Sequence, residues 1–112
     1  MTQIRDIEHF GLVIDKYEDE FGQFDWIPPE DRKIYGQNPI TFALTYLSLF
    51  LKDKTSLHVE VSNEFTDLGS CQSFLLLASL DELKGLSVED VRYMLKAGLS
   101  YNFVLDSFFI SL

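Results

Sequence analysis

Residues 38–52, NPITFALTYLSLFLK, constrain this chain more than any other stretch. Asn38 can cap the free N–H groups of a helix start, and Pro39 suits the first turn, where its missing N–H costs nothing. After Asn38 the polar positions are Thr41, Thr45, Ser48 and Lys52, which fall at i, i+4, i+7 and i+11. On a helix those positions form one narrow line, which leaves every other side apolar. The expectation is a helix over 39–52, wrapped on nearly all sides, with the rest of the chain packed around it. Its dozen or so apolar residues fall well short of the ~20 that a membrane span needs.

The remaining elements follow from periodicity. Ile4, Ile7, Phe10, Ile14, Tyr17 and Phe21 recur at spacings of three and four, which predicts an amphipathic helix over 2–21 capped by Thr2. Gly11 weakens it by about 1 kcal/mol, and a short strand at Phe10–Ile14 is the alternative. Gly22 and the pair Pro28-Pro29 point to a loop from Phe21 to Asp31, with a turn over 32–38. Within that loop Phe24, Trp26 and Ile27 are expected to tuck down as a hydrophobic cover. Residues 56–62 alternate with period two and predict a strand, with 63–70 as a turn. The apolar run 73–79 is the nearest strand partner, since a lone strand cannot stand, with the start of a helix as the alternative because leucine is no strong strand former. Ser79-x-x-Glu82 and Ser87-x-x-Asp90 have the form of capping boxes, the second opening a helix from Val88 to Lys96 or Ala97 with Gly98 as its cap. Within it Val88, Val91, Met94 and Leu95 point inward. In the tail 100–112 the apolar positions Tyr101, Val104, Leu105, Phe108 and Leu112 fit a helix, but Phe, Val and Ile also favour a strand, and the reading taken is an extended segment after a break at Asp106-Ser107. These elements amount to one α+β domain over 1–112, three or so helices on a small, mostly antiparallel sheet.

Charge carries the functional reading. The formal net charge is −9 over 112 residues. Residues 1–31 hold nine acids against Arg5 and Lys16, a net of −7, while the rest of the chain holds only −2. Such a field repels nucleic-acid phosphate and steers basic proteins toward the surface. In the helical reading Glu8, Asp15 and Asp19 share one side, and Asp15 with Asp19 makes a like-charge i, i+4 pair that stability does not favour. The expected contact surface is Glu8, Asp15, Glu18 and Asp19, with Trp26 as aromatic anchor and Asp25, Glu30 and Asp31 around it.

Catalysis finds no support in the sequence. His9, His58 and Cys71 lie far apart, so no metal site is expected, and Cys71 has no neighbouring base. No pair of carboxylates stands in opposed environments, and no glycine-rich phosphate loop is present. No cofactor is expected. Residues 88–104 have the outline of a helix-turn-helix, but its second helix would carry Tyr101, Asn102 and Asp106 and no base to meet phosphate, so direct nucleic-acid binding is not expected. Tyr35-Gly36-Gln37-Asn38 before a helix resembles the start of the second helix in the barstar family of ribonuclease inhibitors. The outward line that follows here is Thr41, Thr45 and Ser48, where that family presents acids, so nothing is carried over. The single cysteine and an N-terminus without a basic-then-apolar leader suit a soluble cytoplasmic protein. The function these features imply is a small acidic inhibitor, an immunity protein or antitoxin covering the basic cleft of a nucleic-acid-degrading toxin. Alternatives are a DNA mimic that blocks a defence or repair enzyme, and a structural or regulatory subunit of an oligomer covered through its Phe108-Phe109-Ile110 tail.

Overall fold

In a computed structural model that describes residues 2–52, 60–65 and 71–111, the chain is α+β. Its elements are α1 (Ile7–Lys16), α2 (Pro29–Tyr35), α3 (Pro39–Ser48), β1 (Glu60–Phe65), β2 (Cys71–Leu76), α4 (Val88–Lys96), β3 (Leu99–Asn102) and β4 (Ser107–Ser111). The four strands form one antiparallel sheet in the order β1-β2-β4-β3. Leu99 pairs with Ile110 and Tyr101 with Phe108, and all four are buried, so they line the core face of the β3–β4 hairpin. Ser100 and Phe109, one residue out of phase, are half-buried on the other face.

Two aromatic clusters fill the core. Phe10 of α1 meets Tyr101 and Phe108 edge-to-face at 5.0 and 5.4 Å, joining α1 to the sheet. Phe42 and Tyr46 of α3 stack at 5.5 Å, and Tyr35 at the end of α2 stands edge-on to both. Such offset and edge contacts each add about 0.5–1.5 kcal/mol beyond the area they bury.

Several expectations change here. The central helix starts as the sequence dictates, with the Asn38 side chain accepting from the Thr41 amide at 2.9 Å, but it ends at Ser48 and not at Lys52. Ser48 Oγ turns back onto the Thr45 carbonyl at 2.7 Å, a bond that competes with the helix ladder. Residues 50–52 then run extended against 82–84, with Lys52 N–H donating to Glu82 and Lys84 N–H to Phe50. Nor is the helix wrapped: Phe42, Ala43, Tyr46 and Leu47 are buried, while Ile40 and Leu49 are exposed. The first helix is shorter than the stripe implied, because Asp6 and not Thr2 caps it, accepting from His9 N–H at 2.8 Å. It runs unbroken through Gly11, so the alternative strand does not form.

The double proline starts an element and does not end one. Pro29 occupies the first turn of α2, so the turn expected over 32–38 is mostly helix. Ile27 is fully buried and Phe24 partly, but Trp26 remains exposed, so only two of the three expected residues tuck down. Strand β1 spans 60–65, later than the 56–62 expected, and residues 56–59 lie outside the described residues. Strand β2 covers 71–76 in place of 73–79 and pairs with β1 as anticipated. Both capping boxes form, and the residues after Gly98 are strand β3, which removes the helix-turn-helix outline. The extended tail after Asp106 is β4; of the Phe108-Phe109-Ile110 run, Phe108 and Ile110 are core residues, while Phe109 is half-buried on the other face.

Two glycine substitutions should move stability in opposite directions. A Cβ on Gly36 would sit 2.6 Å from the Phe42 backbone nitrogen and 2.9 Å from the Thr41 carbonyl carbon. Gly36→Ala should therefore lose about 1–3 kcal/mol, the cost of forcing atoms into a packed site. A Cβ on Gly11 meets only the Phe103 ring at 3.7 Å, so Gly11→Ala should gain about 0.5–1 kcal/mol of helix propensity. Urea midpoints of the two variants against the parent chain measure both.

Candidate functional site

Helix α1 sorts its charges. Taking about 100° per residue, Glu8 and Asp15 lie within roughly 20° of each other, whereas His9 and Lys16 stand about 100° further round. Phe10 and Val13 define the buried side, and Leu12, 67% exposed, lies on the outward face beside the two acids. The helix ends at Lys16, and Glu18–Glu20 form a separate 3-10 turn, so Asp15 and Asp19 are not the i, i+4 helical pair the spacing suggested.

Glu18 and Asp19 instead sit on the rim of a groove of about 680 Å³. The groove is bounded by Ile14 of α1, Phe21, Leu95 at the end of α4, and Ser100 and Phe109 on the outer face of the hairpin. Phe21 is 46% exposed and contributes to the apolar wall. Gly22 directly after it is anchored by its N–H to the Leu95 carbonyl at 2.9 Å, which fixes where the turn meets α4.

The second half of the expected surface lies on the following elements. Asp25 and Trp26 belong to a 3-10 turn, Phe24–Trp26, and Glu30 and Asp31 to the first turn of α2, where acids suit the helix dipole. Trp26 is 58% exposed. Asp25 stands 3.9 Å from the Arg32 guanidinium, a loose, solvent-washed pair worth little. Asp31 is drawn inward and accepts from the Tyr93 hydroxyl at 2.7 Å. That bond, and the burial it entails, push the Tyr93 phenol up to about 12. Among the described residues Glu8, Asp15, Glu18, Asp19 and Glu30 form no ion pair.

Glu20, one of the nine acids of residues 1–31, is only 6% exposed. Its carboxylate accepts from Arg92 Nε at 3.1 and 3.2 Å and faces Lys96 Nζ at 3.5 Å, and the Arg92 guanidinium lies over the Tyr17 ring at 4.5 Å. The i, i+4 bases on α4 hint that an acid must meet them, but not which. The groove was invisible for a related reason: it needs β3–β4 beside the end of α1, a contact between residues some 90 apart in sequence.

A further exposed apolar patch is the hairpin tip Phe103-Val104-Leu105. Asn102 Oδ1 accepts from the Val104 and Leu105 amides, both at 2.9 Å. Asp106, at φ +53°, accepts from the Tyr101 hydroxyl, which itself accepts from Leu80 N–H at 3.0 Å. Burial and the Asp106 carboxylate push the Tyr101 phenol well above its ordinary range. Among the described residues no three His, Cys, Asp or Glu side chains converge to hold a metal, and no helix is long and apolar enough to cross a membrane. No protein-family model, curated protein or solved structure matches this chain.

Two measurements follow from these bonds. Glu20→Ala should cost about 2 kcal/mol in chemical denaturation, less than the 3–5 of a fully buried pair because Arg92 is 37% exposed and can rehydrate. A folded phenol held above its unfolded value of 10.0 stabilises fully below about pH 10, and that stabilisation is lost as pH rises through about 12. In absorbance titration at the phenolate band, Asp31→Ala should therefore bring one tyrosine step down toward pH 10.

Proposed function

We propose that this chain is an acidic protein-binding inhibitor, an immunity protein or antitoxin that occupies the basic cleft of a nucleic-acid-degrading toxin. One observation carries the reading: Glu8, Asp15, Glu18, Asp19 and Glu30 keep their charges unpaired, and exposed Leu12, Phe21 and Trp26 lie among them in the same N-terminal third. A cleft that binds phosphate is lined by lysine and arginine, and an acidic surface held in shape fits it with favourable charge and fast encounter. Of the nine acids in residues 1–31, Glu20 and Asp31 are bonded to α4, Asp6 caps α1 and Asp25 stands beside Arg32, so the net of −7 overstates the working surface. Five free carboxylates are enough for steering, which depends on the summed field. The interleaved apolar side chains favour a protein cleft with pockets over strict DNA mimicry, where a surface of evenly spaced anions would serve best.

The test begins with the full chain as bait, to identify the partner, and proceeds to association kinetics. Glu8→Lys with Asp15→Lys, both outside the groove, should slow association by about tenfold at low salt and flatten its salt dependence. Equimolar chain should also abolish nucleic-acid cleavage by the partner. An unchanged association rate would remove the acidic surface, and a partner without nuclease activity would remove the toxin assignment.

A further inference from the structure

The groove between α1, α4 and the β3–β4 hairpin has a character the acidic helix face does not. Its interior is apolar, from Ile14, Leu95 and Phe109, and Phe21 forms an exposed aromatic wall. Among the described residues its charged rim consists of Glu18 and Asp19, and no lysine, arginine or histidine lines it. The nearest bases of α4 are already committed, Arg92 and Lys96 both facing Glu20. An apolar trough edged by uncompensated carboxylates selects against acidic and purely polar ligands. A neutral apolar ligand would leave the two carboxylates partly desolvated and unpaired, a cost that a cation beside it removes.

We propose that this groove is a docking site for a cationic, apolar peptide segment of the partner protein. One large aliphatic or aromatic side chain seats against Phe21, Ile14 and Phe109, and a neighbouring lysine or arginine pairs with Glu18 and Asp19. The site rests on the reading of the chain as a binder of basic proteins, and adds the recognition chemistry. Its volume of about 680 Å³ lies within the ~300–1,000 Å³ typical of ligand pockets, large enough for a few side chains of one segment. The anchoring of Gly22 to Leu95 holds the aromatic wall in place before the ligand arrives, which lowers the entropy lost on binding.

Three 14-residue peptides test it on the intact chain: an amphipathic leucine–lysine sequence, a serine–lysine sequence of equal charge, and a leucine–glutamate sequence. By titration calorimetry the leucine–lysine peptide should bind at least about tenfold more tightly than either control. Amide shifts in an NMR titration should centre on Phe21, Leu95 and Ser100. Phe21→Glu, at an exposed position, should weaken binding about tenfold, as should Glu18→Lys with Asp19→Lys, the latter also removing its salt dependence. Equal binding of the serine–lysine peptide, shifts confined elsewhere, or unchanged affinity in a folded Phe21→Glu chain would each overturn the proposal. With the captured partner the two readings separate. If Glu8→Lys with Asp15→Lys slows association while Phe21→Glu changes nothing, the acidic surface stands and the groove falls.

Discussion

Helix α4 is the bracket to which the acidic part of the chain is fastened. Glu20 reaches it through Arg92 and Lys96, Asp31 through the Tyr93 hydroxyl, and α3 through Tyr46, whose hydroxyl donates to Asp90 at 2.6 Å. Asp90 uses its other oxygen to close the capping box at Ser87, so the residue that starts α4 also ties α3 to it. Burial and that carboxylate push the Tyr46 phenol far above its ordinary range. Charge-assisted bonds of this kind contribute about 1.5–3 kcal/mol each. Without them residues 18–31, which hold only 3-10 turns and the start of α2, would have little regular structure to fix their carboxylates.

That arrangement explains how a surface with so much negative charge is held. Like charges on a free segment spread apart, because extension relieves their repulsion at little cost. Here two of the acids are turned inward as tethers: Asp31 meets the neutral Tyr93 hydroxyl, while Arg92 and Lys96 bring positive charge to Glu20 in the turn that also carries Glu18 and Asp19. The outward acids are thus positioned by the inward ones. On the proposed function a partner would meet a preformed array, and the entropy of ordering would be met in folding, not in binding.

Local signals were legible in the sequence and long-range ones were not. Asn38-Pro39, the Ser79 and Ser87 boxes, the inward face of α4 and the extended tail each depend on side chains within a few residues of one another, and the structure bears them out. The ends were less legible. Ser48 can bond its own helix or point outward, and only the pairing of 50–52 with 82–84 decides where α3 stops. Pro28-Pro29 carries the same ambiguity, since proline both ends helices and starts them. Of the expected site residues, Glu8, Asp15, Glu18, Asp19 and Glu30 are exposed as charge alone suggests, but Asp31 is half consumed by Tyr93, a partner 62 positions away. Composition counts Glu20 and Glu18 alike, and only tertiary contact tells them apart.

The exposed apolar residues bear on the same point from another side. Leu12, Phe21, Trp26 and Val104 would each contribute roughly 1–3 kcal/mol if buried in the core, and none is. Single exposed leucines are ordinary and carry little meaning. At the hairpin tip, however, Asn102 holds the Val104 and Leu105 amides and Asp106 holds Tyr101 at the base of the turn, while Phe103, Val104 and Leu105 stay exposed. Phe103 also rests on Gly11, so the tip and the outer acids share helix α1 as support. A net charge of −9 opposes self-association through such patches by mutual repulsion. On the proposed function the acidity and the exposed apolar groups act together: charge opposes self-association, and a partner of opposite sign is drawn close enough to cover the apolar surface.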